Sequence, residues 1–200
     1  LNTYAFFALY ANIDGFSNKE PQLPVSERPE LDRWILSELN SLIREVDESY
    51  AEYEPTKAAR AIGEFVSEHL SNWYVRLGRR RFWKGEYTSD KIAAYQTLYT
   101  SLETLAKVMA PVAPFYADHL YRNLNSVTGK DSATSVHLSD FPVSDPGLID
   151  HSLEERMESA QKISSLVLSL RKKVNIRVRQ PLNKILLPVP DADFRAKVEA

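Results

Sequence analysis

Apolar residues recur three and four positions apart through most of the first 127 residues, which is the spacing of amphipathic helices. The pattern predicts helices at residues 1–13, 31–50, 55–77, 89–109 and 114–127. Pro55 and Pro114 stand where a first helical residue is tolerated, and Gly129 is placed to end a helix. Long helices joined by short links pack against each other with opposite directions, so the sequence predicts an antiparallel helix bundle.

The same spacing assigns inward-facing residues. In the helix before Gly129 they are Phe115, Leu120, Leu124 and Val127. In the helix that begins at Pro55, Trp73 continues the stripe formed by Ile62, Phe65 and His69. Residues 17–29, between the first two helices, contain three prolines and are predicted to form a linker.

The pattern changes after Gly129. Residues 130–149 are polar and rich in turn formers, and residues 135–138 are predicted to be extended. Ser152 and Glu155 have the spacing of a capping box for a further helix. Residues 185–189 are apolar and lie between prolines, so we expect a strand there. The predicted fold class is mainly α, a helix bundle followed by the start of a small α+β segment.

Composition excludes several classes of protein. The 200 residues carry 25 Lys and Arg against 27 Asp and Glu, a net charge of −2, with 44% hydrophobic residues. This is the balance of an ordinary globular domain. Without cysteine the chain has no disulfide, thiolate metal site or cysteine nucleophile. Both ends fall inside apparent helical patterns, so we expect a piece of a longer protein.

The near-neutral total hides a segregation of charge. Residues 27–54 hold nine acidic and three basic residues, whereas residues 76–84 hold five basic residues and residues 171–184 hold six, with no acidic residue in either basic window. Such windows are typical of a surface that binds a polyanion.

Aromatic residues interleave with the cations of the first basic window. They are Trp73, Tyr74, Phe82, Trp83 and Tyr87. Bases stack on aromatic rings for roughly 1–3 kcal/mol each, and arginines pair with phosphates, so the mixture favours single-stranded RNA over a duplex. The alternative is a core position for Trp73 and a solvated face of arginines. For the second window the alternative is a solvated helix end, where cations suit the helix dipole.

No residue pattern in the sequence indicates catalysis. The four histidines are scattered, and the neighbours Asp118 and His119 point in different directions in a helix. No histidine pair has a ligand-spaced carboxylate, and six isolated glycines cannot form a phosphate-binding loop. The sequence predicts a binding domain with no catalytic residue and no metal site.

Several stretches, in this order and spacing, resemble the isoleucyl-tRNA synthetase family of class Ia aminoacyl-tRNA synthetases. They are residues 2–7, 10–16, 31–37, 56–60, 70–76, 79–83, 109–115 and 170–182. The Asn-Trp-Tyr-Val-Arg stretch at 72–76 is shared loosely with valyl and leucyl relatives, whereas Asn-Ile-Arg-Val-Arg-Gln-Pro-Leu at 175–182 is most similar to the isoleucyl branch. One departure is Ala-Asp-His at 117–119, where the family usually carries two glutamates.

The resemblance implies a C-terminal anticodon-binding domain. Residues 1–16 would be the connecting helix from an upstream catalytic domain, 17–29 a linker, 30–150 the anticodon-binding bundle, and 151–200 a helix plus the first strand of a junction segment. The implied partners are isoleucine tRNA, through its anticodon stem-loop, and the catalytic and editing domains of the same protein, in the cytoplasm and without membrane contact. The parent would use ATP and magnesium, with zinc in members that carry cysteine clusters; none of these cofactors is expected in this chain.

Similarity to the methionyl enzyme, whose anticodon readers lie on the first bundle helix and on a later helix with a tryptophan, implies two RNA-binding faces. The matching residues are Arg33, Trp34, Ser37 and Asn40 on one helix, and Asn72, Trp73, Arg76, Arg79 and Arg80 on the other. The basic windows add Arg81, Trp83 and Lys84, and, for phosphates, Arg171, Lys172, Lys173, Arg177 and Arg179. Trp34 has a core position as its alternative, because it neighbours an apolar stripe.

Two other functions stay open on the sequence. One is the same domain in a valyl- or leucyl-tRNA synthetase. The other is a helical scaffold that binds another protein and has no RNA partner.

Overall fold

Helices make up most of the described chain, which in this computed structural model is residues 2–84, 86–189 and 195. The chain divides into two units, residues 1–149 and residues 150–200. The first contains α1 (Asn2–Asp14), α2 (Glu30–Ala51), α3 (Pro55–Glu64), α4 (Arg76–Trp83), α5 (Ser89–Met109) and α6 (Pro114–Thr128). The second contains α7 (His151–Lys173). The predicted mainly α fold class is confirmed.

The helix α5 lies at the centre of the first unit. It contacts α1, α2, α3, α4 and α6, and residues on all its sides are buried. Its partner α6 ends at Gly129, whose backbone has φ +57°. Glycine adopts this left-handed conformation without a steric penalty because it has no Cβ, which explains why the helix stops there. None of the described helices combines the length and the apolar character that a bilayer span needs.

A π-helix, Phe65–Val75, joins α3 to α4. Its hydrogen bonds span five residues instead of four, so the buried stripe advances one residue further per turn than in an α-helix. Phe65, Leu70 and Tyr74 are therefore buried, whereas Trp73 is only half-buried. The prediction that Trp73 continues the apolar stripe was wrong by one position.

An aromatic cluster fixes the end of α4 against α1 and α5. The Phe82 ring lies 5.2 Å from the Phe6 ring and 5.1 Å from the Tyr95 ring, measured between centroids. The Tyr95 hydroxyl donates to Asp14, which also pairs with Lys91 at 2.6 Å. Burial and these two donors act in opposite directions, and the net effect lowers the pKa of Asp14. The cluster holds one side of α4 inward, so the other side faces outward.

The predicted linker is attached to α5 over part of its length. The Gln96 carboxamide accepts the Leu23 N–H at 3.1 Å and donates to the Pro21 carbonyl at 3.0 Å. Arg28 is buried and donates to the Thr97 hydroxyl at 2.9 Å and to the Leu23 carbonyl. These bonds satisfy backbone groups that a loop would otherwise leave to water.

Two inward positions predicted for α6 were wrong. Leu120 and Leu124 are buried, but Phe115 is 92% exposed and Val127 is 56% exposed. The buried stripe of α6 consists of Ala117, Leu120, Tyr121 and Leu124. Phe115 lies two residues before this stripe begins, which is the opposite side of an α-helix.

Three predictions after Gly129 also need correction. Residues 135–138 are not extended, because Asp118 accepts the Ser135 hydroxyl and the Val136 N–H and a 3₁₀ turn follows. The cap of α7 is Asp150, whose carboxylate accepts the Leu153 N–H at 3.0 Å, rather than Ser152. Residues 185–189 form no strand. A strand is stabilised by pairing with a neighbour, and no described segment pairs with this one.

Candidate RNA-binding surface

The exposed side of α4 carries most of the first basic window. Its outward residues repeat at intervals of three and four, which places them on one face of the helix. On the opposite side Gly78 and Phe82 are buried. We call the exposed face the basic ridge, and it consists of Arg76, Arg79, Arg80, Trp83 and Lys84.

An arginine and a tryptophan contact each other on the basic ridge. The Arg79 guanidinium lies 5.1 Å from the centroid of the Trp83 ring, a cation–π geometry. Trp83 is nevertheless 46% exposed, so much of its surface is accessible to another flat group. Within the described residues, no carboxylate forms an ion pair with Arg76, Arg79 or Arg80. The ridge therefore presents uncompensated positive charge beside an exposed aromatic ring.

Arg81 belongs to the interior rather than to the ridge. Its guanidinium donates to both carboxylate oxygens of Asp32, at 2.7 and 2.8 Å, and to Asp90 at 3.0 Å. Asp32 is fully buried and also accepts the Tyr74 hydroxyl at 2.8 Å. RNA contact by Arg81 stays a prediction but is disfavoured, because its donors are engaged within the protein.

The network of Asp32, Tyr74 and Arg81 shifts the pKa values of Tyr74 and Arg81. Burial raises the pKa of the Tyr74 hydroxyl well above its usual value, and the negative charge of Asp32 adds to the effect. Burial alone would lower the pKa of Arg81, but the bonds to Asp32 outweigh it and raise the pKa above the ordinary value. Arg81 therefore stays charged, and it attaches α4 to α2.

Three of the four predicted contacts on α2 lie in the core. Trp34 is fully buried and its Nε1 donates to Glu38 at 3.0 Å. Ser37 is also fully buried. Asn40 accepts the Asp145 N–H at 2.9 Å on its side chain and the Ser144 hydroxyl at 2.8 Å on its carbonyl. Burial disfavours RNA contact at these three positions and favours the core alternative for Trp34, and the contacts stay a prediction.

The remaining positions near this surface keep some exposure. Arg33 is half-buried, and its Nε has no hydrogen-bond partner among the described residues. Asn72 is exposed and donates to Glu68 at 3.3 Å. Trp73, half-buried in the π-helix, keeps part of its ring at the surface. RNA contact at these three positions stays a prediction.

In the second unit, the cations of the other basic window cluster at the end of α7. Lys172, Lys173, Arg177 and Arg179 are exposed. Arg171 is half-buried, and its guanidinium donates to the carbonyls of Arg177 and Gln180, at 2.8 and 2.9 Å. Phosphate contact by Arg171 is therefore disfavoured, because its donors are directed at the protein backbone.

Sequence reasoning missed the apolar side chains beside these cations. Leu168, Ile176 and Val178 line an open groove of about 500 Å³ in the second unit, together with Arg171, Lys172, Asn175 and Arg177. The sequence does contain a signal, since residues 159–190 include no Asp or Glu and apolar and basic residues alternate from Ile176 to Arg179.

Across residues 2–84 and 86–189 no group of three or more His, Asp or Glu side chains is placed to hold a metal ion.

Comparison with known proteins gives a consistent result. A family model described as the anticodon-binding domain of tRNA ligase matches residues 32–186. Isoleucine–tRNA ligases from Bacteroides thetaiotaomicron and Porphyromonas gingivalis are 61% and 60% identical to the chain over 199 residues, which is 100% of the chain and 17% of each relative. The Thermus thermophilus enzyme of that name is 44% identical over 191 residues, 96% of the chain and 18% of the relative.

The chain thus spans less than a fifth of the length of the curated relatives it matches. The family model, by contrast, extends over most of its residues. The chain belongs to the anticodon-binding domain family of tRNA ligases.

Proposed function

We propose that this chain recognises the anticodon stem-loop of isoleucine tRNA as a part of an isoleucine–tRNA ligase. The identity to isoleucine–tRNA ligases over the full chain favours this family member over the valyl and leucyl alternatives. The observation that carries the RNA role is the basic ridge, where uncompensated arginines lie beside the exposed Trp83 ring.

The ridge matches the chemistry of an unpaired loop. Arginines on one helix face pair with successive phosphates, whereas an exposed indole stacks on a base that has left its helix. The Arg79 guanidinium lies 5.1 Å from the centroid of the Trp83 ring, so one nucleotide can contact both groups. A duplex would hide the base faces that Trp83 requires, which is why the loop is the favoured element.

The chemistry of the parent would lie outside this chain. The whole ligase would join isoleucine to its tRNA with ATP and magnesium in its upstream catalytic domain, and an editing domain would also lie upstream. Zinc, where a member carries it, would likewise be held elsewhere. The contribution of this domain is the choice of tRNA, and the proposed location is the cytoplasm.

Removing the exposed ring tests the proposal. Trp83→Ala is expected to weaken binding of the isoleucine anticodon stem-loop by the full-length protein roughly 5- to 150-fold, the value of about one stacked base. The melting temperature should change little, because the side chain is 46% exposed. Filter-binding titration and thermal unfolding are the two measurements.

The matched control is Phe115→Ala, which removes an aromatic side chain that is 92% exposed on α6. It should leave RNA affinity unchanged. If Trp83→Ala and Phe115→Ala bind the stem-loop with equal affinity, Trp83 does not stack on a base. If the unmodified protein shows no saturable, salt-sensitive binding of the stem-loop, the protein-scaffold alternative replaces the proposal.

A further inference from the structure

The loop that follows α7 has a defined backbone. Asn175 has φ +55°, and the Asn175 and Ile176 N–H groups bond to the Lys172 and Arg171 carbonyls at 3.3 and 2.9 Å. This is the Schellman arrangement, which uses the helix's last free carbonyls to reverse the chain. The residues after the helix therefore turn back toward it in a fixed way.

Arg171 fixes the next part of the loop. One guanidinium nitrogen lies 2.8 Å from the Arg177 carbonyl, 3.3 Å from the Val178 carbonyl and 2.9 Å from the Gln180 carbonyl. A guanidinium has five donors in a rigid plane, whereas a lysine ammonium has three on a flexible stem. Arg171 is thus suited to hold several carbonyls of one short segment in position.

The held loop and the helix line an open groove of about 500 Å³ in the second unit. Its walls combine apolar side chains, Leu168, Ile176 and Val178, with the cations Lys172 and Arg177. Leu168 and Val178 are 47% and 69% exposed, so the apolar surface is accessible from solution. Residues 159–190 contain no Asp or Glu to neutralise the cations.

An apolar wall beside two cations fits one particular kind of ligand. The face of a nucleobase is flat and weakly hydrated, and the adjoining phosphates carry the negative charge, so a single unstacked nucleotide presents both chemistries together. A base inside a duplex could not reach the apolar wall. The carboxamide of Asn175, which also lines the groove, can donate and accept hydrogen bonds at a base edge.

We propose that the Arg171-held loop binds one unstacked nucleotide of an RNA. The base lies against Leu168, Ile176 and Val178, and Lys172 and Arg177 contact its phosphates. Arg171 is a positioning residue that keeps the loop open for the base. The proposal rests on the proposed function, because the RNA in question is the tRNA recognised by this family.

The test uses the full-length protein and stem-loop RNAs in which 2-aminopurine replaces one loop nucleotide at a time. The fluorescence of this base rises when it leaves its stack. At one loop position we expect a rise on binding that is lost in Val178→Asp, with a roughly 5- to 150-fold loss of affinity. Arg171→Lys should also lose the rise although it keeps the charge, with an unchanged melting temperature.

Two charge variants complete the design. Lys172→Gln should reduce the slope of log affinity against log salt by about 0.7, the value for one single-strand phosphate. Lys162→Gln removes the same charge ten residues earlier in α7, where Lys162 pairs with Glu158, and should leave the slope unchanged. Equal slopes for the two variants would overturn the phosphate contact.

The remaining outcomes separate this site from the proposed function. If Arg171→Lys keeps the fluorescence rise, Arg171 does not position the loop. If no loop position responds to Val178→Asp while salt-sensitive binding persists, the nucleotide site is wrong and the proposed function stands. If the stem-loop does not bind the unmodified protein, both the nucleotide site and the proposed function are wrong.

Discussion

Asp32→Ala is expected to lower the free energy of unfolding of the first unit by about 3–5 kcal/mol, the cost of breaking a buried ion pair by removing one partner. Asp32 is fully buried and accepts two bonds from Arg81 and one from Tyr74. Without the carboxylate, a guanidinium and a hydroxyl lose their main partner inside the protein. All three tryptophans of these 200 residues lie in the first unit, so urea unfolding of this chain followed by tryptophan fluorescence reports on this unit.

Asp90→Ala is the matched control. Asp90 bonds to the same guanidinium, but its side chain is 51% exposed, and exposed ion pairs contribute only about 0–1 kcal/mol. The loss should therefore be several times smaller than for Asp32→Ala. If both variants lose the same amount, the buried network does not hold α4 against α2.

The contrast among three adjacent arginines shows where sequence reasoning stops. The sequence implies that residues 79–81 cannot all point inward, because they span most of a helical turn. It does not say which one is buried. That choice depends on Asp32, 49 positions away in the chain, whose buried carboxylate takes Arg81 and leaves Arg79 and Arg80 exposed. No local pattern contains this information.

Other elements agree with the prediction from apolar periodicity, or differ from it for a physical reason that can be named. Four helices of the first unit, α1, α2, α5 and α6, were predicted within one residue at each end, because apolar spacing, Pro114 and Gly129 act locally. The helix predicted at 55–77 instead consists of α3, the π-helix and α4, and it continues to Trp83. Trp73 and Tyr74 exchanged roles, because a π-helix has a different period from the α-helix that the pattern assumes. The strand at 185–189 was wrongly predicted, because a short apolar run does not by itself supply the neighbouring segment with which a strand must pair.

The candidate site also has features that the sequence reveals and features that it does not. The window counts identify the basic ridge correctly as a cluster of cations, since charge along a helix is visible in the sequence. The apolar stripe beside Trp34 makes a core position one of its two readings in the sequence, whereas burial of Asn40 is not visible there, because its partners Ser144 and Asp145 are more than 100 positions away.

Reversing two charges of the basic ridge, in the double variant Arg79→Glu and Arg80→Glu, is expected to have the largest effect on RNA affinity. Each charge-assisted hydrogen bond contributes about 1.5–3 kcal/mol, so losing two should weaken stem-loop binding at least roughly 150-fold at fixed salt. The slope of log affinity against log salt should fall by about 1.4–1.8, since each phosphate contact adds 0.7–0.9. Both arginines are exposed, so the unfolding midpoint should not move.

A second double variant, Arg44→Glu with Arg60→Glu, separates a local contact from general attraction. Both residues are exposed, on α2 and α3, and lie outside the ridge. Each variant changes the net charge by four units, from −2 to −6. General attraction between protein and RNA would reduce both slopes equally, whereas direct phosphate contact by the ridge reduces the slope only in the Arg79 and Arg80 variant. An unchanged slope in that variant would exclude the ridge as the phosphate-binding surface.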